Sequence, residues 1–588
     1  MLDKPRIKKH LSIMMRGIIF FIIAAASAAM FAQTQSQTAI DNLPNLPLSP
    51  LSQKDIAELS KTDSPEVWRE FSKKAKDNAM SLAAKQAYPE AAAWLYLHYE
   101  AELFAGDGAE LPFAVKLIML SDLPAFFDFY ESIKKEDNVK SACAVLAQIY
   151  KVYPEKFKKY LRSAYAVSLV YDVPPPGLWP MCNTPSDPVS ITQPEEVFNI
   201  FIENPAEFVF PMDKLVIGEL VWIFGVGGPL DELRALKRGS MTPFAVEKLT
   251  QSIKGDNSRI EKGKYKAWDI TERPFTPQNI MKFGGSQFEK TYCAWRVANA
   301  NGIPCLFFTE LSPSGPTAWL AYMSRPGVWK TDVARATEAK PFFGRPLNPQ
   351  TWKTAQQFDI DMLMRRHVTT ESGMLSMAFM RISQMLYEKG DYYEAAVYAD
   401  RAKKANPENW QAYVAFISAR ARFGAAETEL DATWRKSYEA FRRYPDMCIQ
   451  MLNFYRQNLI ALRKGKEADR LLMAEMRGVM RTDPGLGIDI YSEQMKDIYS
   501  RAADKAEVFG PYQDVLRNSR NSQNECFRKI VSPLAKMFFN DGDFRSAAKV
   551  VSMFDATVKD DASLKSKIES LKEDITPKKE AKRKSEAE

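Results

Sequence analysis

The sequence predicts a mainly α-helical protein with a small α+β core in mid-chain and an array of helical hairpins on its C-terminal side. Three observations carry that expectation. On both sides of the middle, apolar residues recur at intervals of three and four, the period of a helix with one buried face. Between Phe283 and Asp332 that pattern gives way to one helix followed by three short β-type runs. From Ser376 two helical patterns flank a Gly-Asp turn, and the same unit returns from Arg528. At 588 residues the chain is long enough for about three domains. A content of 46% hydrophobic and 12% aromatic residues supplies a sizeable core.

Residues 1–32 read as a signal peptide. Lys4, Arg6, Lys8, Lys9 and Arg16 form a basic front to the apolar run Gly17–Ala32, which is short for a bilayer span and ends in small residues. Cleavage near Ala28–Ala32 makes the protein exported, in the periplasm or cell envelope; an uncleaved leader would instead tether it to the membrane. Residues 33–52, rich in Gln, Ser, Thr and Pro, read as a flexible spacer. The formal net charge of +7 sits mostly in the leader and the C-terminal tail. The folded middle is therefore near neutral, with no basic footprint for nucleic acid.

Residues 53–255 read as a helical region. Thr62-Asp63-Ser64-Pro65 is a capped helix start. Amphipathic runs follow at Val67–Gln86, Tyr88–Phe104, Pro112–Leu120, Leu123–Lys134, Val139–Tyr150 and Pro154–Val170. Asp172-Val173-Pro174-Pro175-Pro176-Gly177 is a hard stop, followed by an aromatic loop through Trp179 and Cys182. Further helices are expected at Pro194–Asn204, Met212–Ile223, Leu230–Arg238 and Phe244–Gly255. The Gly225–Gly228 loop lacks the strand–helix context and the Lys of a phosphate cradle. His98, among apolar neighbours, reads as a buried or half-buried structural histidine.

Residues 256–358 form the expected core. Gly284-Gly285 turns into a helix over Gln287–Asn301, which Asn301-Gly302-Ile303-Pro304 stops. Strands are expected at Leu306–Thr309, Ala318–Met323 and Val328–Val333. This order of Gly-Gly turn, buried helix, Gly-Ile-Pro corner, strand, Ala-Trp strand and Trp…Asp strand resembles the core of the transglutaminase-like superfamily. The stop after Tyr171, ahead of such a core, resembles exported bacterial proteins of that kind. The resemblance implies a Cys opening the helix, a His before the Ala-Trp and an Asp on the third strand. A thiol at a helix N-terminus loses its proton readily, and an imidazole held by a carboxylate takes it. In this chain those positions fall on Gln287, Thr317 and Asp332, so only the carboxylate is kept. Gln cannot be a nucleophile and Thr cannot be a base near neutral pH. Gln287, Thr317, Trp319 and Asp332 are thus expected as a vestigial binding site, without catalysis.

Two cysteines could replace the missing nucleophile. Cys293 lies about 9 Å of helical rise beyond Gln287, and Cys305 opens the first strand; both read as small buried apolar residues. The chain has three His, at 10, 98 and 367. His367, past the core, reads as a solvated histidine between segments. The six Cys show no C-x-x-C or His-paired metal spacing, so no metal or cofactor is expected. A Cys293–Cys305 bridge is the one disulfide the spacing suggests.

Residues 359–573 read as a helical repeat region. Over Ser376–Asn409, Phe379, Ile382, Ser383 and Leu386 precede a Gly390-Asp391-Tyr392 turn, with Ala395 and Ala402 as small packing residues and Pro407 closing the unit. This pattern resembles a tetratricopeptide repeat, and Val531, Leu534, Ala535, Phe538, Gly542-Asp543-Phe544 and Ala547 repeat it. Trp410 to about Val515 reads as degenerate helical pairs that complete a short solenoid. Residues 574–588 form a charged, apolar-poor tail. The expected function is an exported, non-catalytic binding or scaffold protein holding a protein or peptide partner on its repeats. The alternative is a thiol-dependent peptidase or transglutaminase-like enzyme acting on peptide or cell-wall substrates through a rearranged site.

Overall fold

The computed structural model describes residues 50–173, 193–225, 229–239, 241–256, 258, 260–261, 264–265, 268, 273–312, 315–333, 345–461, 465–482, 484–501, 504–519, 522–558 and 561–576. The leader and most of the spacer, the proline-rich stop beyond Val173 with Cys182, the loop beyond Gly225, Asp269-Ile270 and the tail beyond Thr576 lie outside the described residues.

The N-terminal region is helical, with α1 Gln53–Leu59, α2 Pro65–Ala84, α3 Tyr88–Ala105, α4 Phe113–Ser121, α5 Leu123–Ser132, α6 Val139–Val152, α7 Pro154–Lys159, α8 Leu161–Val170, α9 Pro194–Ile202, α10 Ile217–Phe224, α11 Leu230–Leu236 and α12 Pro243–Ser252. Ser64, Asp122 and Asn138 cap the starts of α2, α5 and α6 by accepting the N–H three residues on. Two expected helices are split. The run from Pro154 breaks at Tyr160. Met212–Ile223 becomes a 3₁₀ turn, Met212–Lys214, followed by α10, because two side chains cap the second start. Ile217 N–H donates to Asp128 of α5 at 2.9 Å, and Val216 N–H to Glu219 at 3.3 Å.

Mid-chain, a two-residue ribbon β1 Ile260–Glu261 and β2 Lys264–Tyr265 precedes α13 Pro277–Phe283 and α14 Gln287–Ala300. Then come β3 Cys305–Ser312, β4 Gly315–Arg325 and β5 Val328–Val333, with β6 Arg345–Pro346 completing an antiparallel sheet of order β5-β4-β3-β6. β3 and β4 exceed their sequence limits because their pairing runs from Cys305↔Tyr322 to Ser312↔Gly315. Gly284 and Gly302 both hold positive φ, and a Cβ would meet Lys254 O at 2.6 Å and Met212 Cε at 2.6 Å respectively. α14 covers one face of the sheet, where Phe288, Tyr292 and Trp295 meet the ring of Phe307. Trp222, Ala355 and Ile360 cover the other face against Leu306 and Ala321. A single hydrophobic core runs from Leu59 through Val333 and takes in Met374 of the first repeat helix, so packing is continuous through the boundary the sequence suggests at 255/256.

The boundary at 358/359 falls inside α15 Gln357–Met364, a helix the sequence does not announce. Its Ile360 packs on the sheet while its Phe358 packs on Phe441 and Tyr444 of the repeats. The repeat region follows as helices α16 Glu371–Lys389, α17 Tyr392–Ala405, α18 Trp410–Phe423, α19 Glu427–Ala440, α20 Pro445–Ala461, α21 Gly465–Thr482, α22 Pro484–Arg501, α23 Phe509–Asn518, α24 Gln523–Cys526, α25 Ser532–Asn540, α26 Phe544–Asp555 and α27 Ala562–Asp574. Gly390, Gly424 and Gly542 make the left-handed turns between partners. In the first hairpin the hydroxyls of Ser383 and Ser376 each donate 2.7 Å bonds to the carbonyls of Ala395 and Ala402, an approach only small residues permit. The α2–α3 hairpin stacks on this hairpin through Ala79, Ala83, Ala91 and Leu95. Tyr398 reinforces the contact by donating to Ala83 O at 2.9 Å. The solenoid is thus capped by a hairpin from the other end of the chain.

Between α24 and α25, Phe527–Val531 forms a π turn. Pro533 has no N–H for the carbonyl one turn back, and Lys529 O instead accepts the Ser492 hydroxyl at 2.8 Å.

Candidate functional site

Gln287 is the first residue of α14, at the helix N-terminus where the resemblance places a nucleophile. A reciprocal cap closes that end: Glu289 N–H donates to Ser286 Oγ at 3.3 Å and Ser286 N–H to Glu289 Oε2 at 2.7 Å. The Gln287 amide lies 3.3 Å from the Thr291 hydroxyl, which in turn lies 3.3 Å from Ala318 O. The helix start and the beginning of β4 therefore meet at one end of the layer. Thr317 sits opposite Glu310 in the β3–β4 register, and its side chain lies outside the described residues.

The other two residues do not join them as a cleft. Trp319 is buried and stacks on Phe308 at 5.6 Å and 11°. It alternates with Ala318 and Leu320, which belong to the core that α14 covers, so its ring lies on the opposite face of the sheet. The expected grouping of Trp319 with Gln287 is corrected accordingly, and the cause is strand alternation. Asp332 is exposed on β5 with φ +58°, beside a register shift in the β4–β5 pairing. Among the described residues that pairing ends at Leu320↔Val333, short of Thr317.

The described cysteines are buried free thiols, so Cys293 and Cys305 are not bridged. Burial pushes Cys143, Cys293 and Cys448 up to about 12 and Cys526 up to about 11, and raises Cys305 further. Cys293 points its Sγ at Pro277 O, 3.6 Å away, inside the helix body. His98 is buried against Ser72, 2.8 Å from its hydroxyl. His367 is not the solvated residue expected. It is half-buried, with Nε2 2.5 Å from Asn406 Oδ1 and 3.3 Å from Glu408 Oε2.

His367 borders the most elaborate cavity described, of about 280 Å³, where α5, α10, the 348–355 loop, α15 and the first repeats converge. Its charges are matched. Arg366 makes a two-pronged pair with Glu219 at 2.7 and 2.8 Å, both side chains buried. Arg381 does the same with Glu131 at 3.1 and 2.9 Å. Lys134 lies 3.7 Å from Asp359, Asp128 lies 3.6 Å from Arg162, and Glu408 takes Arg365 and Arg443. Arg366 adopts φ +49° and packs against the Gly327 turn of the β4–β5 hairpin. It thereby ties α10, the sheet and the repeats together. Burial raises Asp128 to about 6 against the pull of Arg162 and the Ile217 N–H, and burial lowers His367 against its bond to Asn406.

Asn406 Oδ1 also accepts Glu408 N–H at 2.9 Å, which fixes it as the oxygen. Neutral His367 therefore donates from Nε2 and keeps Nδ1 as a lone pair. No local motif announces this pocket, since its walls come from separate stretches of chain. The pair of arginines in Met364-Arg365-Arg366-His367, set between apolar runs, is the nearest signal.

Along the repeats, a second hollow of about 320 Å³ is lined by Tyr387, Val414, Ile417, Trp434 and Phe454, with Arg422 at its rim. The Arg422 guanidinium donates to Tyr387 OH at 3.3 Å and has no carboxylate partner among the described residues. Among the described residues no helix is long and apolar enough to cross a membrane, and no cluster of His, Cys, Asp and Glu could hold a metal ion.

The fold defines the class plainly: a mainly helical protein with a small four-stranded antiparallel sheet, a two-stranded ribbon and a stack of helical hairpins among the described residues. No family model and no curated protein matches the chain. Among solved structures, the crystal structure of yeast Tom70 aligns over 86% of this chain and 96% of that one, at 11% identity and a TM-score of 0.22. That likeness is too slight to carry an argument.

Proposed function

We propose that this chain is an exported, non-catalytic scaffold that holds a partner protein on its helical repeats, built around a degenerate transglutaminase-like core. The carrying observation is the contrast between two surfaces. The position that would hold a nucleophile is a capped helix start bearing Gln287, and the described thiols are buried with raised pKa. The repeats, by contrast, keep an open apolar hollow with a cation at its edge. The tetratricopeptide-type pattern of Ser376–Asn409 and the basic-then-apolar leader support the rest of the reading. An extended partner segment with an apolar side chain for Val414 and Phe454 and an acidic group for Arg422 suits that hollow.

The test is site-specific photocrosslinking of the full chain in its own cells from Ala421, beside Arg422. Discrete adducts that disappear in a Val414→Ser plus Arg422→Glu variant with the melting temperature kept are expected. Adducts indifferent to that variant, or none above an exposed control position, would refute the proposal.

A further inference from the structure

We infer that the cavity at the junction of α5, α10, α15 and the first repeats is a binding site for an uncharged ligand carrying a secondary amide. The reading rests on which polar groups are already used and which are left over. The charged groups on the walls are matched: Arg366 by Glu219, Arg381 by Glu131, Lys134 by Asp359, and Glu408 by Arg365. A charged ligand finds no unpaired counter-ion there, and displacing Arg366–Glu219 or Arg381–Glu131 would leave a buried charge uncompensated.

The neutral groups are different. Gln411 Oε1 is buried with no hydrogen-bond partner. His367 is engaged through Nε2 alone, so Nδ1 remains an acceptor without a partner among the described residues. The oxygens of Asn406 and Asn348 are taken by the backbone N–H groups of Glu408 and Gln350, and no partner among the described residues accepts from either Nδ2. Acceptors and donors of no charge, spaced around one cavity, fit a group that offers one N–H and one C=O. Trp222, Phe358 and Trp410 give the walls apolar area for the remainder of such a ligand. The volume, about 280 Å³, suits a small molecule or a short segment.

Two sources share this chemistry, a peptide bond and an N-acetylated sugar. The inference stands apart from partner binding on the solenoid, because the Ile417 hollow is lined by other residues.

The experiment is ligand-observed NMR on the full chain with N-acetyl-alanyl-alanine N-methylamide, N-acetylglucosamine, glucose and acetate. At least one amide probe is expected to bind with millimolar or better affinity, and to weaken at least tenfold in Gln411→Leu and in His367→Phe with the melting temperature kept. Binding of the blocked dipeptide alone identifies a peptide bond as the source; binding of the acetylated sugar alone identifies a glycan. Should His367→Phe fail to fold, Gln411→Leu carries the test. The inference is overturned if neither amide probe binds, if both variants bind like the parent, or if glucose or acetate binds as tightly as the amide probes.

Discussion

The helix–sheet layer around Gln287 and the junction around His367 hold polar side chains in opposite ways. The first is local in sequence, from Phe283 to Asp332, and its polar positions are either capped, as at Ser286 and Glu289, or open to solvent, as at Asp332. The second gathers residues from Asp128 to Gln411 and buries its charges in pairs. A layer built from one contiguous stretch stands on the apolar packing of its helix against its strands, so its polar positions need not hold it together. A site assembled from distant segments exists only while the segments are docked. Its ion pairs are therefore both part of the pocket and part of the docking.

The sharpest way to break that comparison is to remove Arg366. Glu219 is fully buried, and without the guanidinium its carboxylate has no compensating charge. Arg366→Ala is expected to cost about 3–5 kcal/mol, read as a drop in the denaturant midpoint. Replacing both partners, as Arg366→Met with Glu219→Met, should recover part of the loss: the orphaned charge goes, while the buried Val216 N–H that Glu219 accepted stays unpaired. A loss of about 0.5 kcal/mol, typical of a surface change, would show that the junction does not hold the two regions together.

A smaller effect probes the same junction through pH. Burial lifts Asp128 from an ordinary 3.8 to about 6. A carboxyl raised in the folded state stabilises it fully below pH 4 and loses that contribution as pH climbs through 6. Asp137 and Asp172, also raised to about 6 by burial, add to the same window. Asp128→Asn keeps an acceptor for the Ile217 N–H and removes one proton from the transition. The variant should match the parent at pH 4 and exceed it by about 1–3 kcal/mol at pH 7, measured as unfolding free energy across pH 4–7. Unchanged slopes would mean that Asp128 is solvated and the cavity wall is open.

Much of the fold was legible because its signals are short-range. The Gly284-Gly285 turn, the Gly302 stop and the Gly390 turn each demand a backbone that glycine supplies, and the three strands lie where β-type runs predict them. α15 was not legible, since its apolar residues serve two partners and so follow no single helical face. Nor was the stacking of α2–α3 on the first repeat, because small residues such as Ala79 and Ala83 suit any close helix approach. The expected site positions could be placed along the chain from sequence, but not across the sheet. Alternation turns Trp319 to the far face, and the positive φ at Asp332 interrupts the strand. His367 was misread for a third reason: Asn406 and Glu408, which hold it, lie 39 and 41 positions further on.

The last prediction tests the layer's side of the comparison. If Gln287 and Asp332 do not brace the layer, then Gln287→Ala with Asp332→Ala should cost no more than about 1–2 kcal/mol, most of it from placing Ala at the φ +58° of Asp332. Asp332 is exposed and Gln287 keeps its first-turn place without its side chain, because the cap belongs to Ser286 and Glu289. Crosslinking from Ala421 should likewise be unaffected. A loss of several kcal/mol would mean that the polar positions themselves brace the layer. A change in crosslinking with stability intact would couple the helix start to the repeats, through α15, which packs on both the sheet and the repeats, or through Arg366 at the Gly327 turn.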